Sequence, residues 1–371
     1  MLLIIAVIII LLLYQIQKKI YAKYWDKGVE VKLSFDKEEA FENETVTLLQ
    51  EITNQKILPM PTLSVKFVTD RSFVFEDLDN VCVTDQFYRN DVFSVMGNQI
   101  VTRRLAFTPG KRGYYGISNV DLISKDLFMK HSYAKNSKNQ CYLYVYPSFL
   151  DMTQFEVSYQ TILGEYMGKK SLVEDPFEFK GIREYQPYDN YRNINWKSTA
   201  RNNVLQVNTY YPTSNYDVKI LVNLNTHTMF HQDMVQEISI KIAATLANRF
   251  IRDFVPLGIV TNAFDFITKE PVLVETGSSA SHMNMILKKL ARIDNKNKAG
   301  DFLKLCEEEV GREQHTFFVL ISNERNEEAL SWYQRKKEEK IPMVWIVPEF
   351  KDFAVDINQK DVYPWEVTMN D

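Results

Sequence analysis

The chain begins with fourteen apolar residues in succession, MLLIIAVIIILLLY, and this run constrains the fold more than any other feature of the sequence. A helix without a polar face is unusual in a soluble domain, where helices normally show one. A membrane-spanning helix needs about 20 residues, with roughly 17 as the lower limit. The run also lacks the basic start and the small-residue cleavage site of a signal peptide. We therefore predict a transmembrane anchor over residues 1–17 that contacts membrane lipid. The alternative is a buried core helix.

The lysines around this run predict its orientation. Lys18, Lys19, Lys23 and Lys27 follow the run, and no basic side chain precedes it. Cytoplasmic flanks of membrane segments carry an excess of lysine and arginine. We therefore expect a single-pass protein of the cell membrane, with the N-terminus outside and the main domains in the cytoplasm.

Composition narrows the classes of function. A length of 371 residues accommodates two domains beyond the anchor. The net charge of −4 argues against a nucleic-acid-binding protein, which needs a clustered basic surface. Cys82, Cys141 and Cys306 lie far apart and form neither a metal-ligand spacing nor a disulfide framework. No cofactor and no small-molecule substrate is indicated.

Residues 28–150 have the pattern of β-structure. Apolar and polar side chains alternate over residues 29–35, and residues 45–49, 63–68 and 100–107 behave in the same way. Such alternation is typical of strands with one buried face. Because turn residues separate these short segments, we predict an antiparallel β-sandwich.

Residues 217–371 have a different pattern, in which apolar strands alternate with amphipathic helices. The predicted strands are residues 218–222, 255–260, 315–321 and 341–347, and predicted helices include residues 281–293, 301–310 and 326–337. This alternation is typical of a mainly parallel sheet covered on both faces. The predicted fold class is therefore α+β multidomain, with an N-terminal transmembrane helix, an antiparallel β-sandwich and an α/β domain.

A linker over residues 151–216 separates the two predicted domains and contains the densest polar and aromatic segment of the chain. This segment, residues 181–201, has no clear period of 2 or 3.6 and is interpreted as an ordered loop with a helical turn near its end. Its pattern is Gly181-x-Arg183-x-Tyr185-x-x-Tyr188-Asp189-x-x-Arg192-x-Ile194-Asn195-Trp196-x-x-Thr199-Ala200-Arg201.

This pattern resembles the signature of domain-of-unknown-function family 58. Phe107-x-Pro109-x-x-Arg112-Gly113-x-Tyr115 and Tyr144-Val145-Tyr146-Pro147 are similar to strand patterns that precede the signature in that family. The resemblance implies N-terminal membrane helices, a β-rich region and a von Willebrand factor A-like (Rossmann-like) domain. The sequence departs from the family at Tyr188, where glycine is usual, and in having one apolar segment where many relatives have two.

The resemblance also implies a partner. Members of this family are often linked with MoxR-type AAA+ ATPases. On that basis we expect a non-enzymatic adaptor that works with such an ATPase in the assembly or maturation of envelope complexes. The chain has no Gly-x-x-x-x-Gly-Lys phosphate loop, so the ATPase would supply the energy.

The signature segment contains the candidate binding residues. Arg183, Arg192 and Arg201 offer planar forks that suit carboxylate or phosphate groups. Asp189 is an internal partner for one of them, and Tyr185, Tyr191 and Trp196 can stack on guanidinium planes. Two interpretations remain open. One is a partner-docking or anion-binding surface, and the other is a buried network that locks the two domains together.

An alternative function is a hydrolase whose site is the Arg183/Asp189/Arg192 cluster. It needs a carboxylate with a strongly perturbed pKa in a pocket. The sequence offers no second carboxylate or nucleophile at a matching position, which argues against this hypothesis.

The loop after the first α/β strand is the other candidate site. A von Willebrand A-like domain often has an Asp-x-Ser-x-Ser metal loop there, because hard cations need oxygen ligands and an anionic one among them. If the loop is aligned from Asn223, the equivalent positions are Asn223, Asn225 and His227. If it is aligned from Asn225, they are Asn225, His227 and Met229, and neither alignment contains an aspartate. We therefore expect no divalent cation, and a metal-free protein-binding surface stays open. A cation-dependent adhesion domain outside the cell would require the intact loop and the opposite topology.

Overall fold

The computed structural model describes residues 2–77, 81–83, 86–151, 159–160, 162–166, 174–212, 216–225, 232–294, 300–313, 315–350 and 362–367. The chain forms two compact units. Unit 1 comprises Met1–Ser148 with Leu290–Arg292, and unit 2 comprises Phe149–Lys289 with Ile293–Asp371.

Unit 1 begins with helix α1 (Leu2–Tyr24) and continues as β-structure. Its strands in the described residues are β1 (Val29–Phe35), β2 (Glu39–Phe41), β3 (Val46–Asn54), β4 (Met60–Thr69), β5 (Phe73–Phe75), β6 (Val81–Val83), β7 (Phe87–Val95), β8 (Gln99–Pro109), β9 (Gly113–Lys125) and β10 (Ser132–Tyr146).

These strands form two sheets, in the orders β1-β3-β8-β5 and β2-β10-β9-β4-β7-β6. Neighbouring strands are antiparallel, except that β2 and β10 run parallel. Buried and partly exposed side chains alternate along β3, because successive residues of a strand point to opposite faces. The buried side chains of both sheets form one hydrophobic cluster, as in a β-sandwich.

Phe107 of β8 lies at the centre of the aromatic part of this cluster. Its side chain is fully buried. The ring stacks on Phe73 with a centroid separation of 4.6 Å and lies 5.1 Å from Phe75 and 5.8 Å from Phe35. One side chain therefore connects residues from two other strands, β1 and β5.

We expect Phe107→Ala to lower the free energy of unfolding by about 3–5 kcal/mol, because it removes apolar contacts and leaves a cavity. Denaturant titration followed by circular dichroism measures this change. Ile100→Ala on the same strand is the control, since Ile100 is 63% exposed. Its expected effect is within about 0.5 kcal/mol. Equal effects of the two substitutions would contradict the central position of Phe107.

Helix α1 is attached to the sandwich by its second half. Tyr21 is fully buried, and its hydroxyl lies 2.6 Å from Ser124 Oγ on β9. The ring of Trp25, just after the helix, stacks on Tyr133 of β10 at 6.1 Å. The helix therefore continues past the apolar run and ends in the core of unit 1.

This arrangement corrects the predicted fold class and location. The described residues contain no helix that is both long and apolar enough to cross a membrane. Lys18, Lys19 and Lys23 belong to the same helix as the apolar run, and Tyr21 is used for packing. The predicted transmembrane anchor over residues 1–17 is therefore wrong. The predicted single-pass location in the cell membrane, with the N-terminus outside and cytoplasmic main domains, is wrong for the same reason.

Lys56 connects the end of α1 to the sandwich. It follows β3, and its Nζ donates a hydrogen bond to the carbonyl oxygen of Trp25. Burial disfavours the charged ammonium and lowers the pKa of Lys56 from 10.5 to about 8.

This pKa predicts a pH dependence of stability. Between pH 8 and pH 10.5 the unfolded chain binds the Lys56 proton and the folded protein releases it, so the contribution of Lys56 to stability rises with pH across that range. Below pH 8 the full cost of the buried charge is present. We expect the difference in thermal midpoint, native chain minus Lys56→Met, to increase as the pH is raised from 8 to 10.5. A difference between the two proteins that does not change with pH would contradict the lowered pKa.

Unit 2 combines a two-stranded ribbon with a six-stranded sheet in the described residues. The ribbon consists of β11 (Glu174–Glu184) and β12 (Gln206–Pro212). The strands of the larger sheet are β13 (Asp217–Val222), β14 (Leu257–Phe264), β15 (Pro271–Gly277), β16 (Thr316–Ile321), β17 (Met343–Phe350) and β18 (Val362–Val367). The helices of this part of the chain include α2 (Trp196–Asn202), α3 (Gln232–Arg252), α4 (Ala280–Ala291), α5 (Phe302–Arg312) and α6 (Glu327–Glu338).

The larger sheet has the order β15-β14-β13-β16-β17-β18, and every pair is parallel except β14 with β15. Helix α3 contacts β13, β14, β16 and β17. Helices α5 and α6 contribute to a buried cluster with Leu221, Leu320 and Trp345. The next strand in the chain, β14, lies on one side of β13, and the later strand β16 lies on its other side. Ligands of open α/β sheets usually bind where the strand order reverses in this way, at the carboxyl ends of the strands.

Candidate functional site

The signature segment connects the two strands of the ribbon. Ile182 pairs with Asn208, and Glu184 pairs with Gln206, in antiparallel register. Between the strands the chain forms a turn, a 3-10 helix (Tyr191–Asn193) and helix α2. The expectation of an ordered loop over residues 181–201 therefore missed the last residues of β11, whereas the helical turn near the end is present as α2.

Short polar side chains fix the two helical turns. Asn190 Oδ1 accepts a hydrogen bond from the backbone N of Arg192 at 3.1 Å, at the start of the 3-10 helix. Asn195 Oδ1 accepts one from Ser198 N at 2.9 Å, at the start of α2. Asn203 ends α2 with a φ of 54°, a left-handed conformation that asparagine tolerates better than most residues.

The segment is also tied to β12. Asn195 Nδ2 donates to Asn208 Oδ1 at 2.8 Å, and the backbone N of Asn195 donates to the carbonyl of Gln206 at 2.8 Å. Gln206 N donates to Thr199 Oγ1 at 2.9 Å. Ile194 and Val207 are buried and form a bridge, so they give the segment a small apolar centre. The segment is therefore held in one conformation by its own contacts.

Asp189 was expected to pair with one of the three arginines, and its partner is Arg183. The two guanidinium nitrogens donate to the two carboxylate oxygens at 2.6 Å each. Asp189 Oδ2 also accepts a hydrogen bond from Gln186 N at 2.8 Å, which closes the turn. The Arg183 guanidinium lowers the pKa of Asp189 below its ordinary value. This carboxylate stays ionised and already has its partners.

The tyrosines of the turn pack on one another and on this pair. The rings of Tyr185 and Tyr191 stack with centroids 5.6 Å apart, and the hydrogen bond between their hydroxyls favours the neutral form of Tyr185 and raises its pKa. The Arg183 guanidinium lies 5.8 Å from the centre of the Tyr188 ring. Tyr188 has a negative φ, so the turn does not need the glycine that is usual at this position.

Large aromatic side chains of the segment are exposed. Tyr188, Tyr191 and Trp196 are 81%, 72% and 68% exposed. Arg192 and Arg201 are exposed too, and their side chains have no hydrogen-bond or ion-pair partner among the residues that the structure describes. The structure brings together Arg183 with Asp189 and Tyr185 with Tyr191, but it does not bring Arg192 or Arg201 to the pair. The interpretation as a buried network disagrees with these exposures.

A second polar cluster lies at the carboxyl end of β13, around Asn223. Its side chain is 2% exposed. Asn223 Nδ2 donates to Ser322 Oγ and to Glu324 Oε2, both at 2.9 Å. Asn223 Oδ1 accepts from Asn262 Nδ2 at 2.8 Å and from Asn225 N at 2.9 Å. Every hydrogen-bonding position of this amide is therefore occupied, across the point where the strand order reverses.

The other loop positions complete the cluster only in part. Asn225 Nδ2 donates to the carbonyl of Gly300 at 3.0 Å. His227 lies outside the described residues. Glu324 is the one acidic side chain in the hydrogen bonds described above, and the remaining groups are neutral amides, a hydroxyl and backbone atoms. These groups hydrogen-bond to one another, and among them only the Glu324 carboxylate could supply an anionic ligand to a cation.

The sequence did not point to Asn262, Ser322 or Glu324. They join Asn223 because parallel strands bring their carboxyl ends to one edge of the sheet. A usable signal was the change from apolar to polar residues, which occurs within β14 and directly after β16. The pairing of the strands, which brings these residues together, cannot be read from local sequence.

Asn223→Ala should lower the free energy of unfolding by about 2–4 kcal/mol, because buried polar groups left without a partner cost about 1–3 kcal/mol each. Chemical denaturation measures the loss. Asn284→Ala on α4 is the matched control, since Asn284 is exposed, and we expect a change within about 0.5 kcal/mol. A loss no larger than that of the control would mean that the Asn223 cluster does not contribute to stability.

The described residues thus define a protein with a β-sandwich unit, a mainly parallel α/β sheet and a ribbon that presents an aromatic-rich segment. Residues 181–330 match the sequence model of a known family, described as Protein of unknown function DUF58. The resemblance found in the signature is therefore confirmed over residues 181–330, which are similar to the DUF58 family.

No curated protein matches the chain. Similar solved structures include a non-cellulosomal cohesin from the archaeon Archaeoglobus fulgidus, with 10% identity, coverage of 35% of this chain and 97% of that chain, and a TM-score of 0.23. A cohesin–dockerin complex from Clostridium thermocellum has 8% identity, coverage of 32% and 99%, and a TM-score of 0.23. The CARDB domain of a Pyrococcus furiosus protein has 12% identity, coverage of 32% and 94%, and a TM-score of 0.21. At TM-scores this low the likenesses carry no argument.

Proposed function

We propose that this chain is a non-enzymatic interaction protein that docks a partner protein on its signature segment. The observation that carries the proposal is the exposure of Tyr188, Tyr191 and Trp196 on a segment whose backbone is held by its own hydrogen bonds. Exposed aromatic side chains on a preformed surface are typical of binding sites, because they bury a large area without a further loss of conformational freedom.

The partner we propose is an AAA+ ATPase of the MoxR type. The support for this choice is the family resemblance of the signature, together with the absence of a phosphate loop in this sequence. In this role the ATPase hydrolyses ATP, and the chain contributes a rigid docking surface for the assembly or maturation of other complexes.

A hydrolase centred on Asp189 has less support. Arg183 donates to both carboxylate oxygens, and this contact lowers the pKa of Asp189. A general acid or base works best with a pKa near the working pH. The pair therefore favours a structural role in holding the turn under Tyr188.

The von Willebrand factor A-like assignment of the α/β half is also a proposal. Its support is the mainly parallel sheet with β13 beside both β14 and β16, and the position of Asn223 directly after β13. The closed hydrogen bonds of Asn223 favour a structural role for this edge, so we assign docking to the signature segment.

Binding of the purified full chain to a purified MoxR-type ATPase from the same cells tests the proposal. Calorimetry with ATP or ADP present gives Kd for each nucleotide state. We expect Tyr191→Ala and Trp196→Ala each to weaken binding about tenfold or more, because truncation of central interface aromatics costs about 2 kcal/mol.

Phe254→Ala is the control, because Phe254 is an aromatic residue of the same unit that is 85% exposed outside the signature segment. It should leave Kd unchanged. Binding that is equally strong in Trp196→Ala, Tyr191→Ala and the control would contradict docking on the segment. Absence of binding by the native chain in both nucleotide states would contradict the choice of partner.

A further inference from the structure

The signature segment differs in charge from the rest of the chain. Residues 181–201 carry four basic and two acidic side chains, a net charge of +2, whereas the whole chain has a net charge of −4. All other residues together therefore carry −6. A basic surface on an otherwise acidic protein attracts negatively charged groups to that surface and repels them elsewhere.

Three of these basic side chains are not neutralised within the described residues. Arg183 is paired with Asp189. Arg192, Lys197 and Arg201 are exposed, and the described part of the chain gives their side chains no ion pair. Lys197 and Arg201 are four residues apart on α2, so they lie on the same face of the helix, where like charges repel. An anionic group bound at this face would relieve that repulsion.

Apolar side chains lie among these charges. Tyr191 precedes Arg192, and Trp196 precedes Lys197 in the sequence. Ile182 of the segment is 43% exposed, and Val204 and Leu205, shortly after the segment, are 48% and 39% exposed. Arginine together with aromatic residues is typical of protein interfaces. The aliphatic side chains favour a partner with apolar side chains of its own over a nucleic acid, whose contacts would be stacking and phosphate contacts.

We propose that the signature segment binds an acidic stretch of its protein partner, in which carboxylates meet Arg192, Lys197 and Arg201 and an apolar side chain packs on Trp196. This inference rests on the proposed function, because it names the chemistry of the partner at the same surface. It adds that the surface discriminates by charge.

Trp196 is a built-in reporter for the test. It is 68% exposed, whereas Trp25, Trp332, Trp345 and Trp365 are at most 7% exposed. Fluorescence quenching of the full chain by small ions therefore reports mainly on Trp196. We expect iodide to quench more strongly than caesium, because the nearby charges are positive. Trp196→Phe should remove most of the quenchable emission.

Peptide binding measures the discrimination directly. The probes are a short peptide of alternating Glu and Leu, its counterpart with Gln in place of Glu, and an oligothymidine, each titrated against the full chain at low salt. We expect the Glu peptide to bind about tenfold more tightly than the Gln peptide, as a few exposed ion pairs would give. The difference should shrink at about 1 M salt, where the screening length falls to roughly 3 Å.

A double variant locates the effect. Lys197→Gln with Arg201→Gln should remove most of the preference for the Glu peptide. Lys32→Gln with Arg104→Gln removes the same charge from exposed positions on β1 and β8 and should leave the preference unchanged.

Equal affinity for the Glu and Gln peptides, or tighter binding of oligothymidine than of the Glu peptide, would overturn the inference. The same is true if the two double variants behave alike. If the peptides show no charge preference while Trp196→Ala still weakens binding of the ATPase, the acidic specificity is wrong and the docking surface stands. If Trp196→Ala changes neither peptide nor ATPase binding, the docking surface is wrong as well.

Discussion

The hydrogen bonds of Asn195 are the constraint on which the candidate site depends. Its side chain starts α2 by accepting from Ser198 N and reaches β12 by donating to Asn208, while its backbone N donates to Gln206. One residue thus joins the helix of the segment to the ribbon. A helix of seven residues has little stability by itself, because the first turn is costly to form. These bonds and the small apolar contact of Ile194 with Val207 hold α2 in place, and the exposed position of Trp196 follows from that fixed helix.

The two candidate sites differ in how their polar groups are used. At the sheet edge every hydrogen-bonding position of Asn223 is occupied, and the residue is buried. In the signature segment the Arg183–Asp189 pair and the asparagines have internal partners, whereas Tyr188, Tyr191, Trp196, Arg192 and Arg201 are exposed. Burial of aromatic area is the largest favourable term in most associations. Exposed aromatic area is present on the segment, whereas Asn223 at the sheet edge is buried, and this difference is why we propose docking on the segment.

Local patterns in the sequence predicted single elements well and their assembly less well. The alternation over residues 29–35 gave strand β1 with the bounds Val29–Phe35, and the helical spacing after residue 326 gave α6 at Glu327–Glu338. The ribbon strand β11 was not predicted, because Pro176 and Gly181 interrupt any alternation and its pairing with β12 is non-local. The apolar run at the N-terminus predicted a membrane span, whereas no helix of the described residues can cross a membrane. Composition alone does not show that the helix continues to Tyr21 and packs there.

In the signature segment, the candidate residues were predicted from the sequence, but their exposure was not. Its arginines, aspartate and aromatics were identified from the sequence as candidates, and Asp189 was expected to pair with one of the arginines, which the structure shows to be Arg183. Exposure could not be anticipated, since the same residue types also form buried networks. It follows from topology: the segment grows from a ribbon of two strands, and a ribbon this narrow has too little surface to cover three large rings. In the role that we propose, the residues that remain uncovered contact the partner, and their positive charge favours an acidic one.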